Sequence, residues 1–435
     1  MYPPGLTLPD NICKVFLTKK DYIFPVLVYL YLGSLFFPFA VSLRVFTMGL
    51  LVLVALLMSN WQQKKDLLRS RKFIWFMFAF VICMLISVFF SDNHKDGINA
   101  LRLRLPLILF PLSLGLISIT KEQRNRILLG CAYIITVACF ISLLYAVYRF
   151  YQTSNTAWLY NDALSFFIGQ QSIYTSLLVN LSIYVFAWHL LFGNHVRKKR
   201  ALLISLILFL FIISYLLASR NMMVLLYAAT LFVAFYFILT KKKYLLGSGL
   251  LAGLVVAVII IFAFFPRTFN RFRELAFTQF DFQSQAKESH YADKLTPDQW
   301  NGANFRLAAW QCGWEIFKEQ PMLGVGLGDK KDELLKIYQQ KRFQFAIDTN
   351  KNVHNNYLDI LYSMGVAALL IFLLGWLILP IRLAFIHSDG LAIFFLVTLA
   401  FAMITENYFD RSLGPLLFGF FVCFIMTPFT KRTTH

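Results

Sequence analysis

The sequence predicts an all-α protein that crosses a membrane many times. Hydrophobic residues make up 59% of the 435-residue chain and charged residues 14%, and the mean hydropathy is +0.64, which lies outside the range of soluble domains. The apolar residues form long continuous runs, and a helix needs roughly 20 such residues to cross a bilayer core. A membrane β-barrel would show short alternating segments instead. We therefore expect a polytopic α-helical bundle.

Twelve apolar runs predict about 12 transmembrane helices. The shortest separation, a turn near Pro38, divides the first two runs, and the run 101–120 has the weakest pattern. The predicted spans are 21–38, 41–59, 73–91, 101–120, 127–150, 170–192, 201–218, 222–240, 244–265, 356–379, 389–405 and 412–428. We expect no cleavable signal peptide, because the first twenty residues lack a long apolar core and a small-residue cleavage site.

These runs divide the chain into three predicted parts. Residues 1–265 form an N-terminal bundle of about nine helices, residues 266–355 form one large loop, and residues 356–435 form about three C-terminal helices. The loop contains 13 of the 41 Lys and Arg residues and 11 of the 22 Asp and Glu residues. Because its charges nearly balance and its apolar residues recur at helical spacing, the loop is expected to be folded.

Two amphipathic helices are predicted inside this loop. The first follows Asn304, a candidate N-cap, and its apolar pattern ends at Pro321. The second starts at Asp329 and runs to about Arg342. The connection between them is the glycine-rich GVGLG, which we interpret as a tight turn, because the GxxxxGK[ST] pattern of a phosphate-binding loop is missing.

The distribution of positive charge predicts the orientation in the membrane. Short segments on the side of both termini hold 21 Lys and Arg residues, whereas the opposite short segments hold seven. Lys and Arg in short loops remain cytoplasmic, so both termini are predicted to be cytoplasmic and the large loop external. These clusters also explain the net charge of +19 better than nucleic-acid binding does. Of the six cysteines only Cys312 lies in the loop, which excludes a disulfide within it.

Three ionisable residues at the external face are candidate functional residues. Arg220, at a very short turn between two helices, is either an interfacial arginine or a phosphate ligand. Arg306 lies in the first turn of a predicted helix, where a cation opposes the helix dipole, and this misfit favours function. His354 precedes a membrane helix, where a neutral imidazole either acts as a base or only caps the helix.

Three short motifs, in this order, resemble the O-antigen ligase and polymerase superfamily of bacterial envelope glycan enzymes. They are the SR of Ser219 and Arg220, the R-x-x-x-W of Arg306 and Trp310 followed by PMLGVGLGD, and HNNYLDILYSMG from His354. Each motif is short, and their order around one large loop carries the resemblance.

The resemblance implies a glycosyltransferase of the bacterial inner membrane with an active site at the periplasmic face. Such an enzyme takes a glycan from an undecaprenyl diphosphate carrier and transfers it to an acceptor hydroxyl. Among the branches we expect an O-antigen ligase, whose acceptor is the lipid A core, in lipopolysaccharide biosynthesis. An O-antigen polymerase is the alternative, and a protein O-oligosaccharyltransferase or a lipid-linked oligosaccharide flippase fits less well.

The resemblance also assigns roles to the candidate residues. Arg220 and Arg306 would bind the diphosphate, and His354 would accept the proton of the acceptor hydroxyl in an inverting reaction. Arg102 and Arg104, in LRLRLPL, either add to a positive entrance or serve as interfacial anchors. No metal or cofactor is expected, because no acidic pair in the loop has metal-site spacing. The expected partners are the lipid-linked donor, the lipid acceptor and membrane lipids, and no nucleic acid.

The charge distribution generates a test of orientation. With Lys287→Cys as the only reactive cysteine, a membrane-impermeant maleimide should label the loop from the external side of intact cells. Labelling that occurs only from the cytoplasmic side would reverse the topology and remove the basis for an external active site.

Overall fold

A computed structural model describes residues 10–38, 41–193, 195–286, 288–289 and 299–429. Within these ranges the chain is helical and contains no strand, and one isolated bridge pairs Glu288 with Trp300. The prediction of an all-α protein is confirmed. Lys287, the position named for labelling, lies outside the described residues.

In the described residues of the N-terminal part there are twelve α-helices, most of them long and apolar. In chain order they are α1 (Asp10–Ser34), α2 (Val41–Met58), α3 (Trp61–Ser70), α4 (Phe73–Phe89), α5 (His94–Leu103), α6 (Pro106–Leu112), α7 (Lys121–Thr153), α8 (Asn161–Leu164), α9 (Ser172–Phe192), α10 (Arg197–Leu217), α11 (Arg220–Phe235) and α12 (Tyr244–Phe264). Short 3₁₀ turns follow α6 at Leu114–Leu116 and α7 at Thr156–Leu159, and α11 continues as a π-helix through Tyr236–Thr240.

The remaining helices belong to the large loop and the C-terminal part. They are α13 (Pro266–Arg273), α14 (Asn304–Glu319), α15 (Lys330–Gln340), α16 (Gln344–Asp348), α17 (Asn356–Phe372), α18 (Leu379–Ile386), α19 (Gly390–Ala402) and α20 (Leu413–Ile425). Glu274–Ala276 and Tyr408–Asp410 form 3₁₀ turns, and a π-helix at Leu373–Ile378 joins α17 to α18 into one long helix.

Among the described residues, seven helices are long and apolar enough to cross a membrane. The number rises to nine if each of two bent helix pairs is one span. Three shorter apolar helices lie at Tyr22–Ser34, Gly390–Ala402 and Leu413–Ile425. The protein is therefore a polytopic membrane protein by length and composition, and the count of twelve stays a prediction.

The predicted span over 101–120 is not one continuous helix. The chain forms α5 up to Leu103, bends by 43° and continues as α6, which ends at Leu112. Pro106 stands at the start of α6 and Pro111 near its end. Proline lacks an amide N–H and favours a helix start or a break, so these two residues divide the run.

A buried arginine, Arg71, joins distant segments at the end of the bundle opposite the loop. Arg71 is buried and donates to the carbonyl oxygens of Gly115, Ile117, Thr427 and Phe429. In a region without water, such carbonyls need a donor from the protein. Arg71 therefore ties the start of α4 to the segments that follow α6 and α20.

The large loop has its own apolar core. Trp300, Phe305, Cys312, Tyr338 and Phe343 are among its buried members. The two predicted amphipathic helices are present as α14 and α15, and α14 packs along α17. The loop is thus folded against the C-terminal bundle.

The prediction that Asn304 caps α14 is wrong. It is the first residue of the helix and is buried, and its side-chain amide donates to the carbonyls of Gln279 and Gln299. The Asn301 side chain accepts from the amides of Ala303 and Asn304 instead. The asparagine three residues earlier therefore satisfies the first amides of this helix.

The glycine-rich connection between α14 and α15 crosses α17 where α17 breaks. Gly365 has φ +81°, a conformation that glycine adopts without a steric penalty. The amides of Val325 and Gly326 donate to the carbonyls of Tyr362 and Ser363, and the amide of Val366 donates to the carbonyl of Pro321. The connection therefore supplies the hydrogen bonds that the broken helix lacks.

Four charges, three of them buried and the fourth, Asp410, 14% exposed, attach the loop to the bundle. Lys330 of α15 lies 2.7 Å from an oxygen of Asp359 in α17 and 2.6 Å from an oxygen of Asp410. Arg104, which follows α5, lies 3.2 Å from Asp410 and 3.7 Å from Asp359. We call these residues the four-charge cluster. Two cations balance two anions here, which is how charges are tolerated away from water.

The four-charge cluster generates a test of stability. Lys330→Met should destabilise the fold by about 3–5 kcal/mol, because it leaves two buried carboxylates with one cation. Thermal unfolding of the purified protein in detergent measures this against Lys331→Met, whose side chain is exposed on the same helix. Equal midpoints for the two variants would show that the cluster does not hold the loop.

Candidate functional site

A cavity of about 310 Å³ lies between the large loop and the helix ends that face this loop. Residues from five separate parts of the chain line it, and three of them are arginines. The lining consists of Ser172, Ile173, Ser219, Arg220, Asn221, Arg271, Leu275, Thr278, Gly302, Ala303, Arg306, Leu307, Trp310 and Thr405.

Arg220 lines this cavity as the first residue of α11. The preceding Ala218 has φ +50° and ends α10, so the chain reverses within two residues and presents Arg220 at the turn. Its guanidinium donates to the Arg271 carbonyl at 2.7 Å and lies 3.2 Å from a carboxylate oxygen of Glu274. The side chain thus faces the loop rather than the lipid interface.

Arg271 is a third cavity arginine that the sequence did not single out. It lies on α13 and donates to the Asn161 side-chain oxygen at 3.2 Å and to the Ala218 carbonyl at 3.0 Å. It therefore meets the same turn that presents Arg220. No motif marked it, because α13 holds several arginines and only the fold distinguishes Arg271 from the exposed Arg273.

Arg306 reaches the cavity from the first turn of α14. Its Nε donates to the Thr405 carbonyl at 3.0 Å, and Nη1 donates to the Gly302 carbonyl. Burial lowers the pKa of the Arg306 guanidinium, although Glu406 opposes this effect. A guanidinium remains charged in proteins, so Arg306 contributes a fixed positive charge.

Gly302 shows how closely two of these guanidinium groups approach each other. A methyl group added at Gly302 would lie 2.6 Å from Nη2 of Arg220 and 3.0 Å from Nη1 of Arg306. The absence of a side chain at Gly302 therefore leaves room for both arginines. Such a convergence of fixed cations suits an anion with several oxygens.

His354 lies beside the cavity but is not among its lining residues. Its Nδ1 is 3.1 Å from Oε2 of Glu406, and its ring contacts the Phe305 ring edge to face at 5.6 Å. Burial raises the pKa of Glu406, but His354, Arg306 and Arg411 outweigh this effect and hold the pKa below its usual value. Glu406 is thus an anion, and Nε2 is the His354 nitrogen that remains for other partners.

The backbone of His354 is held by a second set of polar side chains. Its φ of +46° is unusual for a residue other than glycine. The Asn352 side chain accepts from the His354 amide at 3.0 Å, and Asn352 in turn donates to Asp410 at 3.3 Å. Burial raises the pKa of Asp410, but Lys330 and Arg104 more than offset this and lower it. His354 is therefore connected to the four-charge cluster.

Arg102 and Arg104 are not among the cavity's lining residues. Arg102 is exposed and donates to the Asn99 side chain at 3.3 Å. Arg104 is buried in the four-charge cluster, where its charge is paired with Asp359 and Asp410. A role at an open entrance does not fit the burial of Arg104, whereas Arg102 keeps both of the alternatives stated for it.

Thr405 and Glu406 connect the predicted residues, and sequence reasoning missed both. The Thr405 carbonyl accepts from Arg306, its hydroxyl contacts the Asn221 amide, and Glu406 pairs with His354. A signal was present, because Glu406 follows an apolar run, and an acid at the end of a membrane helix is often functional.

The Cys312 thiol takes no part in this arrangement. It is buried in the core of the loop, and burial raises its pKa to about 12. A thiol needs to ionise to act as a nucleophile. Within the part of the chain that the structure describes, no group of three His, Cys, Asp or Glu residues could hold a metal ion.

Comparison with known proteins supports the resemblance that the motifs indicated. Residues 203–373 match the model of the O-Antigen ligase family, and this range contains Arg220, Arg271, Arg306 and His354. The resemblance is confirmed over these residues. No curated protein matches the chain.

Proposed function

We propose that the protein is an O-antigen ligase, because residues 203–373 match the model of the O-Antigen ligase family and the chain has several helices long and apolar enough to cross a membrane. In this proposal it transfers a glycan from an undecaprenyl diphosphate carrier to the lipid A core at the periplasmic face of the inner membrane. The family itself supports a membrane glycosyltransferase that uses a lipid-linked glycan and a lipid acceptor.

The observation that carries the proposal is the cavity with Arg220, Arg271 and Arg306 beside the pair of His354 and Glu406. A diphosphate leaving group gains negative charge as the glycosidic bond breaks. Arginines that are already positioned stabilise this charge without having to reorganise. The ion pair between Arg220 and Glu274 occupies part of the donor capacity of Arg220, and diphosphate oxygens would replace this carboxylate.

His354 is proposed as the base for the acceptor. The acceptor oxygen attacks the anomeric carbon, the bond from that carbon to the diphosphate oxygen breaks, and its electron pair leaves with the polyprenyl diphosphate. The acceptor proton passes to Nε2 of His354, while Nδ1–H donates to Glu406. A carboxylate on the opposite ring nitrogen fixes the tautomer and stabilises the imidazolium that forms. Direct displacement inverts the anomeric centre, and the mechanism requires no metal.

The identity of the acceptor distinguishes an O-antigen ligase from the alternative functions. Purified protein in liposomes would receive a lipid-linked glycan together with either lipid A core or a second lipid-linked glycan. Transfer to lipid A core supports the ligase, and a longer lipid-linked glycan identifies an O-antigen polymerase. Transfer to a protein hydroxyl would identify a protein O-oligosaccharyltransferase. Movement of the donor across the membrane without transfer would identify a flippase.

The three arginines generate a prediction for turnover. Arg220→Ala, Arg271→Ala and Arg306→Ala should each lower the transfer rate roughly a hundredfold, because one preorganised donor to a developing charge contributes on the order of 3 kcal/mol. Lysine replacements should recover only part of the rate, since lysine lacks the forked donors.

The matched control for this series is Arg273→Ala. Arg273 lies on the same short helix as Arg271, but its side chain is exposed and does not line the cavity. It should keep near-normal activity. If Arg271→Ala and Arg273→Ala behave alike, Arg271 does not bind the diphosphate.

A second prediction concerns His354 and Glu406. His354→Ala should lower transfer by about 10²- to 10⁴-fold, the usual contribution of a general base, and leave donor binding nearly intact. Glu406→Gln should lower transfer less. It should also move the acidic loss of activity to lower pH, because a carboxylate favours the protonated imidazole and an amide does not.

The pH profile separates a positioning role of Glu406 from a structural one. The lowered pKa of Glu406 keeps its carboxylate ionised through the weakly acidic range, so protonation of Glu406 itself does not cause a loss of activity there. An unchanged profile in Glu406→Gln would remove Glu406 from the mechanism. Loss of donor binding in proportion to activity in His354→Ala would make His354 a diphosphate ligand or a structural residue.

A further inference from the structure

The connection between α14 and α15 begins with an apolar tip, directly after α14, that nothing in the described chain covers. Met322 and Leu323 are adjacent, and their exposures are 65% and 72%. Exposed Lys318 and Glu319 precede them at the end of α14. Two adjacent large apolar side chains that are mostly exposed on a folded loop need a physical explanation, because contact of such a surface with water is unfavourable.

Hydrogen bonds place this tip at the level of a particular turn of α17. Pro321 accepts from the amide of Val366, and Val325 donates to the carbonyl of Tyr362. The long helix continues from Gly365 to Ile386 over about 22 residues, or about 33 Å at the helical rise of about 1.5 Å per residue. This length matches a hydrocarbon core of about 30 Å. The tip therefore lies near the boundary of the membrane on the side of the loop.

A second helix, α4, places the tip at the same height relative to the membrane. Ser87, near the end of α4, accepts from the amide of Leu327 at 2.8 Å and donates to the Ser363 carbonyl at 3.4 Å. The apolar helix α4 has 17 residues, about 26 Å long, so its end cannot lie far outside the hydrocarbon. Ser87 is near that end, and the tip is fixed to it.

The end of α4 also presents large aromatic side chains. Phe89 and Phe90 have exposures of 75% and 73%, and their rings contact each other at 5.2 Å. Immediately beyond them, Ser91 accepts from the amide of Gly328 of the connection. Two apolar pairs from separate parts of the chain thus occur at one level, continuous with the apolar surface of a membrane helix.

We infer that Met322, Leu323, Phe89 and Phe90 form a membrane-docking patch that inserts into the boundary of the outer leaflet. The occupant is lipid acyl chain, because the patch lies at the level where two apolar helices leave the hydrocarbon and charged residues begin directly beside it, at Glu319 and Asp92. Interfacial anchors combine these features, with an inserted apolar surface flanked by polar residues.

Docking at this point attaches the C-terminal end of α14 to the lipid. The tip follows that end, and Arg306 lies in the first turn of the same helix, about 20 Å away along its axis. The helix that places Arg306 at the cavity is therefore in contact with the leaflet at its other end. The inference does not depend on the proposed reaction, since it concerns only the contact between the loop and lipid.

Fluorescence quenching in vesicles tests the docking patch. Met322→Cys, Leu323→Cys and Phe90→Cys would each carry an environment-sensitive nitrobenzoxadiazole label, in full-length protein without other reactive cysteines. The vesicles would contain phosphatidylethanolamine and phosphatidylglycerol, with or without a lipid that is spin-labelled near the top of its acyl chain. Leu335→Cys and Gln340→Cys provide matched exposed controls on α15 of the same loop.

The labels at 322, 323 and 90 should be quenched by the spin-labelled lipid and protected from aqueous iodide. The labels at 335 and 340 should show the opposite pattern. Iodide quenching at 322 and 323 equal to that of the controls would overturn the inference. Protection from both quenchers would also overturn it, because a protein surface would then cover the patch. Two labelled tip positions guard against failure of either variant to fold.

Discussion

The position of the loop depends on the pairing of four charges, three of which are buried while Asp410 is partly exposed. Lys330 comes from the loop, Arg104 from the N-terminal bundle, and Asp359 and Asp410 from the C-terminal part. A buried charge without a partner costs several kcal/mol, so these segments are stable together or not at all. Tyr362 adds a hydrogen bond to Asp359 at 3.2 Å. The cluster therefore specifies one arrangement of three parts of the chain.

This constraint reaches the candidate base through polar side chains. Asp410 accepts a hydrogen bond from the Asn352 side chain, and the Asn352 side chain accepts one from the amide of His354, whose backbone is left-handed. On the other side of the imidazole, Glu406 contacts Nδ1, and the neighbouring Thr405 accepts from Arg306. A residue on a loop gains a defined orientation only when rigid elements determine it, and here buried ion pairs supply that rigidity.

The broken helix α17 shows a related requirement of the backbone. An irregular turn at Gly365, inside this apolar helix, leaves amide and carbonyl groups without their helical partners, and lipid cannot satisfy such groups. The glycine-rich connection supplies partners for them, which explains why its glycines are needed. A methyl group at Gly324 would lie 2.4 Å from the backbone of Ser363, so only glycine permits the approach. The plain-turn interpretation agrees with these contacts, in which the amides of Leu327 and Gly328 bond to Ser87 and Ser91.

The sequence by itself determined the helical class, the apolar runs and the folded loop with its two helices, and it singled out Arg220, Arg306 and His354 as candidates. These features depend on composition, local periodicity and short motifs, which neighbouring residues carry. Only the tertiary structure decided that Arg271 joins the cavity, that Glu406 pairs with His354, and that Arg104 is a buried partner of Asp410 rather than part of an open entrance. Arg104 and Asp410 are 306 positions apart, and His354 and Glu406 are 52 apart. A charge becomes a ligand, a base or a structural ion pair according to what surrounds it in space, and a linear pattern does not contain that information.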